Sequence, residues 1–100
     1  MPKKTSRNSD FLSLAKESTS PKIYTLLVHL INDDRKDLAE LVMKIDYLLE
    51  YTSRCIKDRD FREAKTTIKS VKERIDILEK ENVDTEYINY LYEGINNKIK

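Results

Sequence analysis

Apolar side chains between positions 61 and 78 fall at Phe61, Ala64, Ile68, Val71, Ile75 and Leu78. The steps alternate between three and four residues, the period that keeps one narrow seam of a helix turned toward a partner helix. Asp60 with Glu63 three residues later has the form of a capping box, each side chain reaching a free backbone N–H, so a helix is predicted over about 60–81. Upstream, Asn32, Asp33 and Asp34 supply capping side chains ahead of Leu38, Leu41, Val42, Ile45, Leu48, Leu49, Thr52, Cys55 and Ile56. That broad face at helical spacing predicts the longest helix, about 34–57, in contact with more than one neighbour. Ser20 followed by Pro21 reads as an N-cap with proline at the first helical position, and Ile23, Leu26, Leu27, Leu30 and Ile31 make the stripe of a helix over about 21–31. Asp84 is placed to cap a last helix with Ile88, Leu91, Ile95 and Ile99 on one face, weakened by Gly94, which costs about 1 kcal/mol relative to alanine.

Ahead of these helices, residues 1–19 carry Lys3, Lys4 and Arg7 among Ser, Thr and Asn, a composition too polar to order itself alone. The expectation is a flexible basic arm followed by one bundle domain over 20–100. Within the arm, Asp10 can cap a short turn bearing Phe11, Leu14 and Ala15 on one side, spaced as a segment that docks on a partner or folds back on its own bundle. Short connections leave no room for crossovers, so successive helices are expected antiparallel. The fold class read from the pattern is all-α: a small up-down bundle of three long helices and a shorter terminal one.

Composition agrees with helices joined by short turns: one Gly, two Pro and no Trp in 100 residues. Lys and Arg number 19 against 18 Asp and Glu, so nucleic-acid binding has to rest on local clustering rather than overall charge. A single cysteine, Cys55, builds neither an internal disulfide nor a multi-thiolate metal site and fits a reducing compartment, with the cytoplasm as the expected location. The start MPKKTSRNSD has no apolar signal core, and no long apolar run is present to span a membrane.

Candidate chemistry is sparse. The one histidine, His29, falls off the apolar stripe of its helix, and Cys55 lies in register with Leu48 and Ile56 as a small core hydrophobe. Asp33, Asp34 and Asp37 lack the glycine and ligand spacing of a calcium loop, and the lone Gly94 cannot form a phosphate-cradling loop. No catalytic residues, metal ligands or cofactor are therefore assigned, and an enzyme is not expected.

Two surface patterns remain. Arg62, Lys65, Lys69 and Lys72 fall within about 80° of arc beside the seam, with Thr66, Thr67 and Ser70 read as facing outward. Joined to Lys3, Lys4 and Arg7, they make a surface for weak, salt-sensitive phosphate contact, as in a replication or transcription accessory factor. The same charges also suit pairing with acids of the preceding helix. The second pattern lies in the six tyrosines, five of which are grouped: Tyr47 and Tyr51 four apart, and Tyr87, Tyr90 and Tyr92 crowded near the C-terminus. Rings with a polar tip are enriched at protein interfaces. The leading expectation is an adaptor subunit binding another protein through Tyr47, Tyr51, Tyr87, Tyr90 and Tyr92, with Phe11 and Leu14 as a docking segment. A second copy of the chain completing the narrow seam is a further expectation.

Overall fold

The computed structural model describes residues 6–99, with side chains from Asp10 onward. Lys3 and Lys4 lie outside the described residues, as does the side chain of Arg7. Five helices and no strand appear among the described residues: α1 (Ser6–Ser18), α2 (Pro21–Asn32), α3 (Lys36–Lys57), α4 (Phe61–Lys80) and α5 (Glu86–Asn96). The chain is all-helical, and no helix among the described residues is long and apolar enough to cross a membrane. Residues 6–18, read from composition as part of an arm, are instead helical. Burial of Ala15 and contact of α1 with α2 supply the apolar surface that the segment lacks alone.

The chain divides into two compact units, the first ending at Met43 and the second starting at Lys44, within α3. In the first unit Ser20 has extended backbone and its Oγ accepts from the Ile23 N–H at 3.4 Å, with Pro21 opening α2. Ile23, Leu27, Leu30 and Ile31 are buried on α2, and Leu38, Ala39 and Val42 on the start of α3.

The second unit buries Ile45, Leu49, Thr52 and Cys55 on α3, and Ile88 with Thr85 at α5. On α4, Ala64, Ile68, Val71, Ile75 and Leu78 are buried and Phe61 is half-buried, so the three-four seam is the inner face of that helix. Thr67 is buried beside it, and its hydroxyl donates to the Glu63 carbonyl at 2.9 Å. Thr52 does the same to the Leu48 carbonyl at 2.7 Å, and among the described residues no buried side-chain N or O atom lacks a partner.

One turn recurs three times. Asp34, Arg59 and Asn82 have φ of 62°, 62° and 63°, the left-handed region that favours glycine. After each, the next N–H bonds five residues back: Arg35 to Leu30, Asp60 to Cys55 and Val83 to Leu78, at 2.8, 2.8 and 3.0 Å. These are Schellman closures built without glycine. They explain two departures from the sequence pattern. Asn32, Asp33 and Asp34 end α2 rather than cap α3, whose Leu38 and Ala39 N–H groups bond instead to the Arg35 carbonyl. Asp60 accepts from the Glu63 N–H at 3.2 Å, but its own N–H is taken by Cys55, so Glu63 has no backbone donor to return to and the capping box is half formed.

Candidate functional site

The side chain of Glu63, released from the cap, meets Tyr51. The Tyr51 hydroxyl donates to Glu63 Oε2 at 3.1 Å, linking α3 to α4. The carboxylate holds the phenol proton in place and pushes the Tyr51 pKa up to about 12 from 10.0. Tyr47 stacks on Tyr51 with ring centroids 6.5 Å apart and planes 14° from parallel, and Lys44 Nζ sits 5.7 Å from the Tyr47 ring centre. These rings line an open groove of about 420 Å³, with Leu48 and Thr67 as its inner residues and Thr66 and Ser70 along the α4 side. Tyr51 is half-buried; Tyr47 leaves 57% of its surface open.

A second ring pair lies on α5. Tyr87 and Tyr90 stack with centroids 6.2 Å apart and planes at 24°. Tyr90 is 72% exposed, while Tyr87 and Tyr92 are half-buried. The helix that carries them is tied to α4 by a polar clasp. Thr85 Oγ1 donates to Glu79 Oε2 at 3.0 Å, and Asn89 Nδ2 donates to the same oxygen and to Thr85 Oγ1, each at 3.0 Å. The two donors, Asn89 first, hold the Glu79 carboxyl below the usual carboxylate range. No residue of this clasp was singled out from the sequence, because a Glu-Thr-Asn cluster has no periodic signature.

In the first unit, Phe11 is half-buried with Lys36 Nζ 5.6 Å from its ring centre, whereas Leu14 is 70% exposed. The two therefore do not share one open patch, since Phe11 is engaged within its own unit. Ile77, 47% exposed on α4, is an apolar surface residue that the sequence reading passed over because it neighbours the seam residue Leu78.

Arg62, Lys65 and Lys69 are exposed and form no ion pair among the described residues, whereas Lys72 pairs with Asp76 on its own helix at 3.3 Å. Asp76 draws the Lys72 pKa up. The predicted match between the acids of α3 and the bases of α4 is thus absent from the ion pairs of the described residues. Of the three hydroxyls expected to face outward, Thr66 is exposed, Ser70 is half-buried and Thr67 is buried. Thr66 bonds to the Arg62 carbonyl, and Ser70 Oγ accepts from Arg74, with Thr66 and Ser70 lining the groove toward α3.

His29 is exposed, and Cys55 is buried with its thiol pKa pushed up by desolvation, which disfavours the nucleophilic thiolate. Among the described residues no group of three His, Cys, Asp or Glu side chains is placed to hold a metal ion. No family model, curated protein or solved structure matches the chain.

Proposed function

We propose that the chain is a non-catalytic accessory or adaptor subunit that works inside the cell, an up-down helical bundle that binds another protein through exposed helix surface. The observation that carries this reading is the pair of open, pre-stacked tyrosines: Tyr47 at 57% and Tyr90 at 72% exposure, each already resting on a neighbouring ring. A tyrosine ring brings a large contact area on only two side-chain torsions, and a ring held by its neighbour has less freedom to lose on binding. Its hydroxyl remains available for a polar contact at the rim of an interface. Tyr51, Tyr87 and Tyr92 act as the supports and flanks of these two anchors. A photo-crosslinking amino acid at position 47 or 90, in the protein's own host, is expected to capture one protein in stoichiometric amount. The same probe at exposed Lys80 serves as control, and equal capture from all three positions overturns the reading.

A nucleic-acid-associated role is the second reading, favoured by one observation: Arg62, Lys65 and Lys69 stand exposed on one face of α4 with no ion pair among the described residues. With Lys72 partly neutralised, three contacts give only weak affinity that falls steeply with salt. Absence of oligonucleotide binding at low salt removes this reading.

A further inference from the structure

We infer that the outward face of α5, centred on Tyr90, receives an arginine-bearing cationic segment of a partner protein whose backbone passes close to Gly94. This rests on the protein-binding reading above and adds to it the chemistry of the partner.

The first observation is the glycine itself. Gly94 lies within α5, where glycine is the poorest helix former after proline. Its φ is not positive, so the backbone does not require glycine. A Cβ built on it meets no atom within 4 Å, so packing within the protein does not require glycine either. A bare stretch of helix that neither conformation nor packing calls for is what a close approach from outside would use.

The second observation is what surrounds it. Tyr90 is four residues before Gly94, on the same helix face, with Glu86 four residues before the ring and Glu93 three after it. Along the axis the backbone positions of the two glutamates lie about 6 Å before and about 4.5 Å after that of Tyr90. The α5 segment EYINYLYEGIN contains two Glu and no Lys, Arg or His. Both glutamates are exposed and neither forms an ion pair among the described residues. An open tyrosine ring between two unpaired carboxylates is complementary to a guanidinium. The planar cation lies over the ring and its N–H fork reaches a carboxylate at either side. A nucleic-acid backbone would be repelled by the same two charges, and an aliphatic partner would leave them desolvated without a counter-charge.

Gly94 is the chain's only glycine, so its amide signal is a ready reporter. The test is titration of the isotope-labelled full chain with an acetylated hexa-arginine amide at low salt, followed by amide correlation spectra. The expected result is a saturable shift of the Gly94 and Tyr90 signals. Affinity is expected to fall at least tenfold in Tyr90→Ala and in Glu86→Gln/Glu93→Gln. Gly94→Gln should bind at least tenfold more weakly while its thermal midpoint holds or rises, which separates loss of approach from loss of fold. An unmoved Gly94 signal, equal binding by Tyr90→Ala, or a shift given by hexaglutamate instead overturns the inference. A protein crosslinked at position 90 through an acidic or apolar segment overturns this inference and leaves the adaptor reading standing, whereas capture of no protein at either ring pair overturns both.

Discussion

Helix α4 and helix α5 meet in the second unit and are held by different means. Five apolar residues of α4 are buried, four of them (Ala64, Val71, Ile75 and Leu78) with no exposed surface, and its N-terminus is capped by Asp60. α5 buries Ile88 alone among its eleven residues, has its first N–H, that of Glu86, bonded to Asp84 Oδ1 at 3.1 Å with no side-chain cap from Thr85, and leans on the Glu79–Thr85–Asn89 clasp. What α4 turns inward is aliphatic; what α5 turns outward is aromatic. A helix whose apolar side chains are consumed by packing is scaffold. One that leaves a ring such as Tyr90 72% exposed, although burial of a large side chain is favourable by about 1.5–3 kcal/mol, is available for contact with something else.

The largest expected effects come from emptying each helix's buried position in turn. Ile75→Ala is expected to lose about 2–5 kcal/mol of global stability in urea unfolding, because a fully buried aliphatic is replaced by a cavity. Ile88→Ala removes the one buried side chain of α5, and its loss should register locally. Hydrogen exchange is expected to accelerate across α5 amides while those of the α4 seam stay protected. Equal acceleration in both helices would erase the contrast.

Arg59→Gly comes next. Its φ of 62° is a strained value for arginine and free for glycine, so the variant is expected to gain about 0.5–1 kcal/mol, read as a shift of the urea midpoint at constant slope. Asn82→Gly should gain less, since asparagine tolerates that region better than arginine.

The Tyr51–Glu63 bond sharpens the comparison through pH. The folded phenol titrates at about 12 against 10.0 unfolded, so the folded state holds the proton more tightly. The bond's contribution is complete below pH 10 and disappears as pH rises through about 12. In Glu63→Gln the Tyr51 hydroxyl is expected to give up its proton at lower pH, read as a change in the ultraviolet titration curve between the two proteins. Curves that superimpose would mean that the link from α3 to α4 is not made.

The all-helical fold and the inner face of α4 were readable in the sequence because a three-four period is a statement about one helix alone, and burial of Ala64 through Leu78 follows from it. Ser20–Pro21 and Asp60 were readable for the same reason, since a cap acts over three residues. What escaped depends on neighbours. Periodicity says that Thr66, Thr67 and Ser70 are beside the seam but not which flank faces α3, so of three hydroxyls assigned to an outer surface Thr66 is exposed while Ser70 is half-buried at the groove and Thr67 is buried. Glu63 was assigned to the cap because the competing bond from the Asp60 N–H to Cys55 spans a left-handed Arg59 that carries no glycine signal. The helix at Ser6–Ser18 escaped because its order comes from contact with α2 rather than from its own composition. Of the tyrosines, position along the chain gave the pairs, but only the structure separates open Tyr47 and Tyr90 from half-buried Tyr51, Tyr87 and Tyr92.

Serine matches tyrosine in helix propensity, so Tyr47→Ser and Tyr90→Ser remove each open ring with little change to the helix beneath it. Urea unfolding of these two variants measures whether the rings belong to the scaffold. Each is expected within about 0.5 kcal/mol of the parent protein, as for side chains that the fold does not use. A loss of about 2 kcal/mol or more from either would make that ring part of the core and contradict its assignment as contact surface.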